Sequence, residues 1–169
     1  MVFIDETGLN TKLARDHGRC PRGQRCTSAL PHGHWQSSTF IAALRQERIA
    51  APFLIEGPVD AEVFTAYLQH VLCPQLRPGD TVILDNLSTH KIQDVTRILS
   101  PQGVGVRYLP PDSPDLNPIE LAFAKLKAHL RQAAARTLAD LRSALAAALG
   151  SFSAQHCQGF FRHAQYASM

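Results

Sequence analysis

The sequence predicts an α/β domain whose mixed central sheet is flanked by helices, and three observations lead to that class. Short apolar runs, typical of buried strands, occupy residues 1–7, 81–86 and 103–109. Apolar residues recur at helical spacing between and after these runs. Two further strand candidates, 38–45 and 49–56, are joined by a short polar turn, which predicts an antiparallel pair at the start of the sheet.

The helices are predicted from apolar residues that recur every three or four positions and from capping residues. Asp60 and Thr137 are suitable N-caps, because their side chains can accept hydrogen bonds from backbone N–H groups of the first helical turn. Helices are predicted over residues 60–72, 90–99, 118–131 and 137–149. Helices and strands alternate after residue 60, which is the order of βαβ crossovers and parallel strands.

The helix predicted over 118–131 follows a proline-rich loop, and "YLPPDSPDLNPIE" leads into it. Asn117 is a good N-cap, Pro118 suits the first helical position, and Glu120 completes a capping box. These local preferences account for Glu120 as a structural residue. Whether Glu120 also takes part in chemistry depends on the rest of the sequence.

Size and composition limit the classes of protein that fit. The chain has 169 residues and is 45% hydrophobic, which suffices for one domain with a buried core. No run approaches the roughly 18 consecutive apolar residues of a membrane span, and Asp5 interrupts the first apolar run too early for a signal peptide. We therefore expect a cytoplasmic protein without a membrane partner. The net charge of +3 permits a polyanionic partner without requiring one.

A group of histidines and cysteines near the start of the chain is a candidate zinc site. Its spacing is H-x2-C-x5-C-x5-H-x-H, without the C-x2-C knuckle of most structural zinc sites. A polar, arginine-rich loop or hairpin with incidental cysteines is the favoured interpretation, and a zinc-bound interaction module is the alternative. The residues concerned are His17, Cys20, Cys26, His32 and His34.

Carboxylates close two of the predicted strands and begin one of the helices. Asp5 follows "VFI", Asp85 follows "VIL", and Glu120 opens the helix after the proline loop. An aspartate at the end of a buried strand costs free energy unless solvent or a counter-charge compensates it. The carboxyl ends of parallel strands share one rim of the sheet, where ligands bind. Three carboxylates there would repel one another, and Mg²⁺ or Mn²⁺ has the oxygen preference that suits them.

Four motifs in order resemble the catalytic domain of DDE transposases, specifically the mariner-like superfamily and its bacterial insertion-sequence relatives. The motifs are "FIDETG", "RDHGRCPRGQR", "LDNLSTHK" and "LPPDSPDLNPIE". The interval between Asp85 and Glu120 is 34 residues (120 − 85 − 1), which matches the family's spacing between its second and third acids. The resemblance covers residues 2 to about 149 and implies a ribonuclease H-like fold, in agreement with the predicted order of strands and helices.

The resemblance implies an acid triad, Asp5, Asp85 and Glu120, that binds two Mg²⁺ or Mn²⁺ ions. The implied activity is DNA cleavage and strand transfer by phosphoryl transfer. Implied partners are DNA, as transposon ends and as target, and further copies of the chain in a homo-oligomer assembled on DNA, associated with the nucleoid. The sequence departs from the family pattern at Asp112 and Phe123, where relatives often carry an aromatic residue and a tryptophan.

Basic residues near the triad are candidate DNA contacts. Lys127 and Arg131 lie within about 20° of Glu120 on a helical wheel, so they are placed to contact phosphates beside the metals. An ordinary solvated basic face is the alternative. Arg22 and Arg25 belong to a basic run that suits a phosphate-lined DNA track, although such loops are often merely solvated.

The domain organisation expected from the resemblance is one catalytic domain over residues 1–169. Only four residues precede Asp5, so the amino-terminal helix-turn-helix domain with which the family finds transposon ends is expected to be absent from this chain. Two alternatives to a transposase remain besides the zinc module. One is another ribonuclease H-like nuclease, and the other is an inactive remnant that only binds DNA.

Overall fold

A mixed sheet forms the centre of the structure, a computed structural model that describes residues 1–15, 17–27, 35–85 and 95–166. Within these ranges the sheet has five strands: β1 (Val2–Asn10), β2 (Ser37–Leu44), β3 (Ile49–Glu56), β4 (Thr81–Leu84) and β5 (Gly105–Tyr108). Their order across the sheet is β3-β2-β1-β4-β5. The first three strands pair antiparallel, and β1, β4 and β5 pair in parallel, so the predicted fold class is confirmed.

Helices cover both faces of this sheet. They include α1 (Ala61–Tyr67), which continues as a wider turn to Leu72, α2 (Pro118–Ala133), α3 (Leu138–Gly150) and α4 (Ala154–His163). Asp60 and Thr137 cap α1 and α3 as predicted. The helix predicted over 90–99 is confirmed for 95–99, and its first residues lie outside the described part of the chain. Across the described ranges, none of the helices combines the length and apolar character needed to cross a membrane.

Alternate residues of β1 face two separate cores. Phe3 packs with α2, α3 and α4 on one face of the sheet, whereas Val2 and Ile4 pack with α1 on the other. This alternation follows from the two-residue repeat of a strand. Asp5 therefore lies on the same face as Phe3 and α2, which is the face that carries the candidate site.

Strand β1 is longer than the sequence indicated. The prediction ended the strand near Thr7, but β1 continues to Asn10 because it pairs with β2 as far as the register Asn10↔Ser37. Asp5 accordingly lies in the middle of β1, and the expectation that it closes the strand was wrong. The acid does mark the end of the parallel pairing between β1 and β4.

Helix α4 was not predicted. Its start is fixed by a reciprocal cap, in which the Ser153 hydroxyl accepts from the His156 backbone and the His156 ring accepts from the Ser153 backbone. The buried ring of Phe161 meets Phe3 edge to face, with ring centroids 5.4 Å apart. The tail of the chain therefore forms part of the core beneath the first catalytic candidate, Asp5.

Candidate active site

The first two acids lie side by side at the end of a parallel ladder. Strands β1 and β4 pair from Val2↔Val82 to Ile4↔Leu84. Asp5 directly follows the paired residues of β1, and Asp85 directly follows those of β4. Beyond this point β4 has ended, while β1 continues against β2 with Asp5 opposite Ala42. The register of the sheet thus brings two residues together that are 80 positions apart in the sequence (85 − 5).

The third acid is carried to the same place by α2. Ile119 and Phe123, on either side of Glu120, are buried between the helix and the sheet, so the first turn of α2 is fixed against β1. Glu120 itself is exposed. Its negative charge and that of Asp85 both raise the pKa of Asp5, so the structure places the three acids within electrostatic range of one another.

Asp5 has the most perturbed carboxyl group of the site. Its pKa is raised from the ordinary 3.8 to about 7, mainly by burial and in smaller part by the nearby charges of Glu120, Asp85 and Glu6. A hydrogen bond from the Glu6 backbone N–H acts in the opposite direction. A carboxylate in this setting is poorly compensated by the protein alone, and a bound cation would offset both the burial and the repulsion.

The donor set fits a divalent cation by ligand type and charge. Three carboxylates provide the hard oxygen ligands that Mg²⁺ and Mn²⁺ prefer. The side chains do not, however, form a closed cluster: among the residues that the structure describes, no three His, Cys, Asp or Glu are arranged so that they could hold a metal ion. The agreement therefore concerns the chemistry of the ligands rather than a finished coordination geometry.

Asn117 is a site residue that sequence reasoning assigned to another role. It was expected to cap α2 in a box with Glu120, but within the described chain its side chain makes no capping hydrogen bond. The Asn117 amide instead donates to Oδ2 of Asp5 at 3.0 Å. The helix start is held by Pro118 at the first position and by the preceding turn, where the Asn117 N–H donates to the Pro114 carbonyl. The capping-box prediction was wrong.

A cavity of about 340 Å³ opens beside the third acid. Its wall combines the proline loop, the start of α2 and the end of α4, which contributes His163. His163 was missed because α4 itself was not predicted. The residues lining the cavity are Pro114, Asp115, Asn117, Glu120, Leu121 and His163.

The candidate DNA contacts fall into two groups. Lys127 and Arg131 follow Glu120 along α2, which is one unbroken helix, and both side chains are half-buried. Arg22 and Arg25 lie in the exposed stretch 17–27 that connects β1 towards β2. Their contacts with DNA stay a prediction.

The zinc alternative gains nothing from the described part of the chain. His17, Cys20 and Cys26 are exposed, and the Cys20 thiol donates to the Gln24 carbonyl at 3.1 Å. No metal-holding group occurs among the residues described. The two remaining candidate ligands, His32 and His34, lie outside those residues.

Several solved structures share this architecture. The chain is similar to the Mos1 transposase in a paired-end complex with its left transposon end, with a TM-score of 0.72 and 18% identity over 95% of this chain and 51% of that one. For the Mos1 strand transfer complex the TM-score is 0.70, with 19% identity over 97% of this chain and 51% of that one. For the mariner Mos1 paired-end complex with Mg the TM-score is 0.67, with 20% identity over 97% of this chain and 53% of that one. The chain thus spans about half the length of these transposase chains. The likeness confirms the predicted ribonuclease H-like fold.

Sequence comparison places the chain in a family. No curated protein matches it. The family model described as DDE superfamily endonuclease, in contrast, matches residues 1–142. That span includes all five strands, helix α2 and each member of the acid triad. The chain therefore belongs to the DDE superfamily of endonucleases.

Proposed function

We propose that this chain is the catalytic domain of a DNA transposase that cleaves and joins DNA strands by metal-assisted phosphoryl transfer. The observation that carries the proposal is the meeting of Asp5 and Asp85 at the end of the β1–β4 ladder, with Glu120 within electrostatic range on α2. Family membership supports it, as do the similar Mos1 paired-end complexes, with the left transposon end and with Mg, and the Mos1 strand transfer complex.

The acid triad would hold two Mg²⁺ or Mn²⁺ ions. Such a pair of ions, when bound, activates the attacking oxygen and stabilises the leaving oxygen of an in-line displacement at phosphorus. The protein's own part is to present the carboxylates of Asp5 and Asp85 at the end of the β1–β4 ladder and that of Glu120 from the first turn of α2. Asp5 is held by two hydrogen bonds, and Glu120 faces the open cavity through which a DNA backbone can approach.

Positive charge beside the triad would position the DNA. Lys127 and Arg131 follow Glu120 along α2, and Arg22 and Arg25 lie on the exposed stretch after β1. Such side chains bind phosphates without reading bases, so they orient the strand and add salt-dependent affinity. The proposed partners are transposon ends, target DNA and further copies of the chain in a homo-oligomer, at the nucleoid of the cytoplasm.

The test is a joining assay at low salt with a pre-cleaved DNA end that carries a free 3′-hydroxyl. The purified chain should join this end to a plasmid in Mg²⁺ or Mn²⁺, and Asp85→Ala or Glu120→Ala should abolish joining. Asp60→Ala is the matched control, because Asp60 is an exposed acid that caps α1 on the opposite face of the sheet.

The alternatives give different products in the same assay. Cleavage without joining would favour another ribonuclease H-like nuclease. DNA binding without any product in either metal would favour the inactive remnant. Undiminished joining by the Glu120→Ala protein would refute the triad.

A further inference from the structure

Asn117 occupies a helix-capping position without capping the helix. Asparagine is among the best N-cap residues because its side-chain oxygen accepts from N–H groups of the first turn. Here the side chain makes no such bond within the described chain, and only 5% of the residue is exposed. A buried amide requires hydrogen-bond partners, so the Asn117 side chain must bond a group outside the first turn of α2.

That group is the carboxylate of Asp5. The Asn117 Nδ2 donates to Oδ2 of Asp5 at 3.0 Å, and the Glu6 backbone N–H donates to Oδ1 at 2.7 Å. Each carboxylate oxygen is thereby held by one donor, one from β1 and one from the start of α2. A carboxylate oxygen can accept more than one bond, so both oxygens keep capacity for a further ligand. The two hydrogen bonds fix the plane of the carboxylate and leave both oxygens able to bind a metal ion.

We infer that Asn117 is a positioning residue, whose amide orients the Asp5 carboxylate and ties it to the helix that carries Glu120 so that both can bind the same divalent cations. The inference rests on the proposed function, since it takes Asp5 and Glu120 as metal ligands. Partners that orient a metal ligand from outside the coordination sphere change metal affinity by about 10–100-fold when they are removed. The bond between Asn117 and Asp5 joins residues 112 positions apart, which gives it this orienting role across two elements.

Serine at this position separates the two possible roles of the residue. Serine is also a good N-cap, but its hydroxyl lies closer to the backbone than the asparagine amide and cannot span the 3.0 Å bond to Asp5 from the same backbone position. If Asn117 served α2 alone, Asn117→Ser would be harmless. If Asn117 serves Asp5, the same substitution leaves the helix capped and loosens the metal ligand.

The experiment measures Mn²⁺ binding to the purified chain, by the electron paramagnetic resonance signal of free Mn²⁺, together with metal-free thermal melting. We expect Asn117→Ser to melt cooperatively without metal, which shows that it is folded, and to bind Mn²⁺ about tenfold or more weakly. Asp60→Ser, an exchange of one good cap for another at α1, should keep the wild-type affinity. A folded Asn117→Ser protein that binds Mn²⁺ within about twofold of wild type would overturn the inference.

A second measurement uses only the wild-type protein, so it does not depend on the folding of a variant. In wild-type protein, the Asn117 side-chain amide signal in a ¹⁵N–¹H spectrum should shift saturably as Mg²⁺ is added, because its acceptor becomes a metal ligand. No shift at saturating Mg²⁺ would overturn the inference. Failure of the proposed function gives a different result, because Asp85→Ala would then leave any Mn²⁺ binding of the wild-type protein unchanged. If only the inference about Asn117 fails, wild-type protein still binds Mn²⁺ and Asp85→Ala still removes that binding.

Discussion

Replacing Asp5 with asparagine should stabilise the metal-free fold at neutral pH, although it removes a proposed metal ligand. Burial raises the pKa of Asp5 from 3.8 to about 7, with further contributions from the charges of Glu120 and Asp85. Keeping Asp5 ionised therefore costs the native state free energy that a neutral side chain avoids. The expected gain in stability is opposite in sign to the usual effect of a substitution in a core-facing position.

The magnitude follows from the pKa. The difference between 3.8 and about 7, at about 1.4 kcal/mol for each tenfold change in proton affinity, corresponds to about 4 kcal/mol as an upper limit. Asparagine can keep an acceptor towards Asn117, but its amide N–H₂ then faces the Glu6 N–H, and loss of that hydrogen bond costs about 1 kcal/mol. Because Asp5 is only half-buried, we expect a net gain of about 2 kcal/mol above pH 8.

The sign of the pH dependence is fixed by the same shift. The native pKa of Asp5 lies above the unfolded one, so between about pH 4 and pH 7 the native state holds a proton that the unfolded chain has released. Wild-type stability therefore falls as the pH rises through this window and levels off above it. The asparagine variant lacks this loss, so the difference between the two proteins should grow from about pH 4 to about pH 7.

Urea unfolding in EDTA across this pH range measures the difference directly. Asp60→Asn is the control, because it removes an exposed acid and keeps a side chain that can cap α1. A difference between Asp5→Asn and wild type that stays constant with pH would refute the reasoning. So would an asparagine variant that is less stable than wild type above pH 8.

Three other predictions concern the metal, an ion pair and the tail. Mg²⁺ should raise the melting temperature of wild type but not of a triple-alanine variant of the acid triad, because an ion that binds only the folded state stabilises it. Arg45→Ala should lower the free energy of unfolding by about 2–3 kcal/mol in urea titrations, since the mostly buried guanidinium bonds Asp80 at 2.6 and 3.0 Å. Arg45 lowers the pKa of Asp80, so this loss should shrink as the pH falls through that lowered value. Phe161→Ala should cost about 3–4 kcal/mol by the same measurement, and an effect below about 1 kcal/mol would show that α4 is not part of the core.

The strands and most helices were predictable because their signals are local. Apolar runs, helical spacing and the caps at Asp60 and Thr137 each depend on residues within one turn or strand. The meeting of Asp5 and Asp85 was also predictable, because each acid directly follows an apolar run and the two runs pair in parallel, although β1 itself continues beyond Asp5.

The errors arose where the deciding partner is distant in the sequence. Asn117 has a local preference to cap α2, and nothing near it indicates that Asp5 takes its amide instead. The extra length of β1 depends on pairing with β2, which lies more than 25 residues further along the chain. Helix α4 has only Cys157 and Phe161 buried, and a glycine at 159 weakens its helical pattern, so the sequence around it does not show that it packs against distant residues such as Phe3.

The packed core of the protein extends beyond the residues that match the family, because it includes α4. The family match ends at residue 142, inside α3, and so leaves out the ring of Phe161 that rests on Phe3. Asp5 lies two positions after Phe3 along β1, and the end of α4 reaches the wall of the cavity beside Glu120 through His163. A fragment trimmed to the matched residues would keep every acid and every strand, yet it would expose an aromatic ring beneath the first acid. Domain boundaries for expression, or for fusion to other DNA-binding modules, should therefore follow the packing of the tail rather than the extent of the recognisable sequence.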